Sequence, residues 1–296
     1  MPTARVNDDV DVHYESLGHE DDPPLLLVAG LATQLTMWHE EFCLGLVDRG
    51  FRVIRFDNRD VGLSTWFDQH EVDLLAAIAT VEAGEPLDAP YLLTDMAADS
   101  RGLIEALSID EPVHVVGASM GGMIAQTLAI EHPWMVASLT SIMSSTGEPD
   151  IGQPSAEALT ALLEPAPTER SALLDHGARI SRIWASPEQW DEEWVRSRYA
   201  EDYERAHHPA AGPRHMLALV ASGERASGLA DLSVPALVVH GDADTLIDKS
   251  GGERTAELIP DAELLVLEGM GHDLPPNFWS AIIERITALA VRSSNS

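Results

Sequence analysis

Two rhythms of apolar residues organise this chain. Short, almost continuous apolar runs recur at 24–29, 52–56, 113–118, 136–143, 234–239 and 263–267. Runs of that length with little polar alternation predict strands covered on both faces, the habit of a parallel sheet. Val10, Val12 and Tyr14 instead alternate with polar neighbours and predict a half-exposed strand. Stretches with helical periodicity lie between the runs at 37–49, 94–107 and 277–291, the first closed by Gly50. A long acidic connection at 66–90 carries a short helix of its own. From 144 to 230 the strand signal stops. Helical stretches, proline turns and the aromatics Trp184, Trp190, Trp194, Tyr199 and Tyr203 take over there. This pattern predicts an α/β fold, a mostly parallel central sheet flanked by helices. Residues 1–143 and 231–296 form its core, and 144–230 an inserted helical cap.

The run at 113–118 carries chemistry as well as structure. It passes through Gly117-Ala118-Ser119-Met120-Gly121-Gly122 into the helix-like stretch 123–129. A strand that becomes a helix within about two residues forces the turning residue into a strained backbone conformation. Glycine at 117 and 121 removes a Cβ where strand and helix pass closely. The turn lifts the Ser119 hydroxyl clear of the sheet, at a helix N-terminus whose N–H groups can meet developing negative charge. This is a nucleophile elbow. Its serine requires a base, an acid to orient that base, and a second N–H donor.

Open α/β sheets build their sites at the carboxyl ends of the strands, so the partners are sought there. Asp244 follows the 234–239 run, with Asp242 and Asp248 as close rivals. His272 follows the 263–267 run, and Gly269 and Gly271 beside it allow a tight loop that reaches back over the sheet. The chain order Ser119, Asp244, His272 is nucleophile, acid, base. Of the twelve histidines, His114 lies inside the elbow strand, His240 precedes the acid turn and His132 stands at a helix end before Pro133. All three are read as structural, and His207, His208 and His215 as surface or packing residues of the cap. The backbone N–H groups of Met120, directly after the serine, and of Leu31, after the 24–29 strand, are the expected oxyanion-hole donors. Gly30, Met143, Trp184, Trp194 and Tyr203 are candidate substrate-pocket residues.

Together, the Gly30 loop, Asp57-x-Arg59-Asp60-x-Gly62-x-Ser64, the Ser119 elbow, Gly241-x-x-Asp244 and Gly271-His272 resemble the α/β-hydrolase superfamily. The likeness covers essentially the whole chain outside the cap. In detail it resembles the capped bacterial members that include aclacinomycin methylesterase and enol-lactone hydrolases. The resemblance implies hydrolysis of small-molecule carboxylic esters through an acyl-enzyme, without metal or cofactor. Lactone and carbon–carbon bond hydrolysis use the same three residues, and some proteins on this scaffold only bind ligands. A serine at the elbow argues against haloalkane dehalogenase and epoxide hydrolase chemistry, which needs a carboxylate there. The family also implies a packing role for the 57–64 turn. One departure stands out: Ala29-Gly30 replaces the His-Gly of many relatives, which keeps the N–H donor but removes a side chain that often braces the loop.

Composition then narrows the partners. A formal charge of −31 over 296 residues, with Lys249 the sole lysine, leaves no basic face for nucleic acid. The acidic residues are spread along the chain, which fits a solvated, soluble surface and, as the alternative, one adapted to high salt. No window is long and apolar enough to span a membrane, and the first residues lack the core of a signal peptide, so a cytoplasmic protein is expected. Cys43 is the single cysteine, which excludes an intramolecular disulfide and predicts a small packing residue.

Overall fold

The apolar runs of the sequence become neighbours in one sheet. A computed structural model describes residues 2–293. Its strands are β1 (Thr3–Arg5), β2 (Asp11–Leu17), β3 (Pro24–Val28), β4 (Arg52–Phe56), β5 (Val113–Ala118), β6 (Val136–Ile142), β7 (Ala236–Gly241) and β8 (Glu263–Leu267). They lie in the order β1-β2-β4-β3-β5-β6-β7-β8. The β1–β2 and β2–β4 pairs are antiparallel, and every other pair is parallel. β3, β5 and β7 are buried from end to end, as continuous apolar runs covered on both faces must be.

Strand alternation splits the interior into two cores. Leu26, Val28, Val113 and Val115 pack with residues of α3 (Leu93–Ala106) and α4 (Met120–Glu131). Leu25, Leu27, Val116 and Leu237 pack on the opposite face with α1 (Glu40–Val47) and α11 (Pro276–Ser293). Cys43 lies in this second core as a packing residue, and burial pushes its thiol up to about 11.

Three local features differ from the sequence expectation. The helix expected at 37–49 starts at Glu40, after a separate single turn at Leu35–Met37. Trp38 and His39 leave helical geometry because Arg55 takes the Trp38 carbonyl, while the His39 ring accepts the Glu41 N–H as the helix N-cap. β1 was not expected, since three residues are too few to show a period. α10 (Ser250–Leu258) was missed because Gly251 and Gly252, poor helix formers, occupy its first turn. The 66–90 connection carries α2 (Leu74–Glu82), as expected.

Between β6 and β7 the chain runs through α5 (Ala156–Leu162), α6 (Arg170–Trp184), α7 (Glu192–Ala206), α8 (Ala211–Ala221) and α9 (Ala226–Ala230). This helical insertion is pinned to the turn after β4. Arg205 of α7 reaches Asp57 at 2.8 Å, and Arg214 of α8 grips Asp60 through two contacts of 2.5 and 2.7 Å. Both carboxylates are fully buried, so an unpaired one would be costly. Arg59 in the same turn pairs with buried Asp99 of α3 at 2.6 Å. Among the described residues, no helix is long and apolar enough to cross a membrane.

Candidate active site

Ser119 stands between β5 and α4 with φ 57° and ψ −125°, the strained conformation its spacing demands. A Cβ on Gly117 would lie 2.1 Å from the Gly121 carbonyl oxygen, and one on Gly121 would lie 2.1 Å from that of Val28. Any side chain at either position therefore collides with backbone. The Ser119 N–H donates to Ile142 at the end of β6, and its carbonyl accepts from Gly122 at 2.9 Å, which fixes the residue on both sides.

His272 must reach further. β6 and β7 separate β8 from β5, so a residue leaving β8 crosses three strand spacings, roughly 14 Å, to reach the serine. The loop after β8 does this by lying across the end of β7. The Met270 carbonyl accepts from Ala243 at 3.0 Å, and a Cβ on Gly241 would lie 1.9 Å from that carbonyl oxygen. Glycine at 241 is what lets the return path pass. At its end, His272 Nε2 lies 2.9 Å from Ser119 Oγ and Nδ1 lies 2.7 Å from Asp244 Oδ2. A carboxylate facing Nδ1 accepts a proton from it, which leaves Nε2 as the acceptor for the serine hydroxyl.

Asp244 is 6% exposed, and its second oxygen accepts the N–H groups of Leu246 and Ile247, both at 2.9 Å. Burial pushes its pKa up, but the opposing charge of His272 and hydrogen bonds from His240 and His272 together outweigh burial. The carboxyl is held well below the usual range, so it is ionised at neutral pH. The rivals stand elsewhere. Asp242 is exposed and accepts the Gly269 N–H at 2.7 Å, while Asp248, also exposed, accepts the Ser250 N–H at 3.0 Å at the start of α10. Of the three, Asp244 alone contacts His272. The remaining histidines are engaged away from the serine. His114 bonds Ser138 at 2.8 Å, His240 bonds the Ile247 carbonyl at 2.8 Å, and the His132 N–H donates to Leu128 as α4 ends. His208 stacks on Trp66 at 3.9 Å, and His207 lies against Tyr203.

The loop after β3 lies against the serine. A Cβ on Gly30 would sit 3.4 Å from that of Ser119. Among the described residues, neither the Leu31 nor the Met120 N–H has a hydrogen-bond acceptor. At Met120 this follows from its place in the first turn of α4. Gln34 and Thr36 tie the loop to α7. Gln34 donates to the carbonyls of Asp202 and Ala206, both at 2.8 Å, and the Thr36 hydroxyl donates to the Asp202 carboxyl. Burial pushes the Asp202 pKa up to about 6. A carboxyl whose folded pKa exceeds its unfolded value stabilises the fold fully below the unfolded value, and loses that contribution as pH rises through the folded one. Here the loss falls between about pH 4 and pH 6 and amounts to about 1–3 kcal/mol. Asp202→Asn is therefore expected to gain Tm on the wild type by several degrees more at pH 7.5 than at pH 4.5, measured by differential scanning calorimetry.

Of the candidate pocket residues, Gly30 and Trp184 touch this constellation. The Trp184 carbonyl accepts the His272 N–H at 2.6 Å. Met143 is 2% exposed and belongs to the core packed by α1 and α11. Trp194 stands 6.4 Å from the His39 ring and lines a cleft of about 320 Å³ with Trp190, Asp273 and Pro275. Tyr203 lies 4.8 Å from His207. Asp60, Asp68 and His208 approach one another as metal ligands do, but the Arg214 guanidinium already sits among them, with Nη2 at 2.7, 3.1 and 3.0 Å. Sequence reasoning passed over two further contacts. Asp273 accepts the Ser186 N–H at 3.0 Å while Ser186 Oγ accepts the Gly271 N–H at 2.9 Å, so the base loop is latched to the end of α6. His215 meets the loop after β3. Neither contact has a local sequence signal, because 85 and 183 residues separate the partners.

The chain is similar to known proteins. A family model for the alpha/beta hydrolase fold matches residues 23–276. Rhodomycin D methylesterase DnrP of Streptomyces peucetius is 29% identical, over 93% of this chain and 93% of its own. The structure of the enol-lactonase from Burkholderia xenovorans LB400 is similar with a TM-score of 0.73 at 22% identity, covering 98% of this chain and 100% of that one. The esterase RhEst1 from Rhodococcus sp. ECU1013 is similar with a TM-score of 0.74 at 20% identity, covering 97% and 98%. Both structures are likenesses of fold. On the strength of the family match over most of its length, this chain belongs to the alpha/beta hydrolase fold family and is a hydrolase.

Proposed function

We propose that the protein is a serine-dependent carboxylic ester hydrolase that works through an acyl-enzyme. The observation that carries this is the unbroken hydrogen-bonded line from Asp244 through His272 to Ser119 at the mouth of a strained elbow. Ser119 Oγ attacks the ester carbonyl carbon as His272 Nε2 takes its proton, and the Asp244 carboxylate stabilises the imidazolium. The N–H groups of Leu31 and Met120 hold the tetrahedral oxyanion. The carbon–oxygen bond to the alcohol then breaks, and His272 returns the proton to the leaving oxygen. Water adds to the acyl-enzyme by the same route in reverse, releasing the acid and restoring the serine. Every proton moves between Ser119, His272, substrate and water, so the scheme calls on no cofactor.

The substrate is read as a small-molecule ester, and the methylesterase relative favours a methyl ester. Residues 144–230 act as a cap over the site, which Trp184 meets through the His272 N–H. A panel of methyl and p-nitrophenyl esters, lactones and vinylogous diketones tests this. Esters are expected to show kcat/KM at least about 100-fold above the other two classes, a difference of roughly 2.7 kcal/mol in transition-state stabilisation. A lactone or diketone turned over faster than every ester would overturn it.

A further inference from the structure

The loop after β3 contains an unusual residue beside the proposed oxyanion donor. Ala32 has φ 54°, a left-handed conformation that costs a non-glycine residue free energy and persists only where neighbours hold it. Leu31 immediately precedes it. Ala29, directly after β3, has no polar side chain with which to brace the loop; its carbonyl is taken by Asn58 at 2.9 Å. What holds Ala32 comes from the helical insertion. His215 of α8 is wholly buried, with Nδ1 accepting the Ala32 N–H at 3.1 Å and Nε2 at 2.9 Å from the Arg59 carbonyl. A carbonyl can only accept, so Nε2 carries the proton and Nδ1 is the bare acceptor. The ring is kept at this angle by Tyr91, edge-on at 6.1 Å, and by Arg214, the preceding residue, locked on Asp60. Burial pushes the His215 pKa down, which keeps the ring neutral and the Nδ1 lone pair available.

We propose that His215 is a positioning residue for ester hydrolysis: by holding the Ala32 N–H it keeps the 30–33 loop in the strained form that aims the Leu31 N–H at the oxyanion. The inference rests on Ser119 as nucleophile and Leu31 as donor. It makes the insertion part of the catalytic framework as well as a cover, because α8 sets one wall of the site and α6, through Trp184 and Ser186, sets the base loop.

The two functions of the ring can be separated. Asn at 215 places a carbonyl oxygen near the position of Nδ1 and keeps an acceptor for Ala32, while losing the Arg59 contact. Gln places an amide nitrogen near Nε2 and keeps the Arg59 contact, while leaving Ala32 without an acceptor. His215→Gln is expected to lower kcat on a p-nitrophenyl ester by about 10- to 100-fold, less than the roughly 100- to 1000-fold of deleting a donor outright. KM should stay within about threefold, and inhibition by phenylboronic acid, a tetrahedral mimic, should weaken by the same factor as kcat. His215→Asn should keep kcat within about threefold, even if its Tm is lower. Gln at the wild-type rate, or Asn falling as far as Gln with Tm tracking both losses, would overturn the inference. If the Gln variant does not fold, the Asn variant decides, since a tenfold loss of kcat in folded His215→Asn contradicts the claim. Ser119→Ala is measured alongside. Turnover surviving in that variant overturns the functional reading itself, whereas an inactive Ser119→Ala with a fully active His215→Gln overturns this inference alone.

Discussion

Ester turnover by the Ser119→Ala variant is expected to fall by about 10⁴- to 10⁶-fold, with the fold unchanged. Ser119 Oγ lies 2.9 Å from His272 Nε2, in line with the buried Asp244 carboxylate. Alanine removes that oxygen and nothing else. Its Cβ already exists in the wild type, so the strained backbone at φ 57° and the close packing of Gly117 and Gly121 are retained. Tm should stay within about 2 °C, because the lost hydrogen bond is worth only about 1 kcal/mol. Residual activity reflects the N–H donors and substrate binding, which the substitution leaves in place.

Asp244→Asn gives the second large loss, about 10³- to 10⁴-fold in kcat. An amide at this position cannot stabilise the imidazolium, and it can turn its NH₂ toward Nδ1 and so favour the wrong tautomer of His272. Asp242→Asn is expected to stay within about threefold of wild type, because its amide oxygen still accepts the Gly269 N–H. The pair of variants separates two carboxylates that lie two residues apart in sequence. Acid stability moves too. The Asp244 pKa is depressed in the fold, so its contribution is present at neutral pH and lost as pH falls through the folded value. The asparagine variant should therefore show a flatter decline of Tm below pH 4 than the wild type.

Features set by neighbours along the chain were readable in sequence. The elbow is one: glycine at 117 and 121 around a serine, after a β-branched run, can satisfy a strand-to-helix turn and little else. The inner strands were readable because burial on both faces leaves no polar alternation. The start of α1 was not, because Arg55, on another strand, takes the Trp38 carbonyl and ends the preceding turn. Chain order and its place after a buried strand favour Asp244 over Asp242 and Asp248; the turn geometry that directs one carboxylate inward and two toward solvent was not readable. The bracing of the loop after β3 was wholly out of reach. His215 looked like any other histidine of the insertion, and its meaning comes from a contact with Ala32 that only the tertiary fold creates. The same holds for Ser186, which reads as a helix-end residue until the Gly271 N–H is seen to rest on it.

Covalent labelling with a fluorophosphonate, followed by intact-mass and peptide analysis, asks whether Ser119 is a nucleophile that turns over. One adduct per chain is expected, located on Ser119, with ester turnover lost in proportion to labelling and no adduct on the Ser119→Ala variant. Labelling at another residue, or multiple turnover of esters by a chain already modified at Ser119, would contradict it.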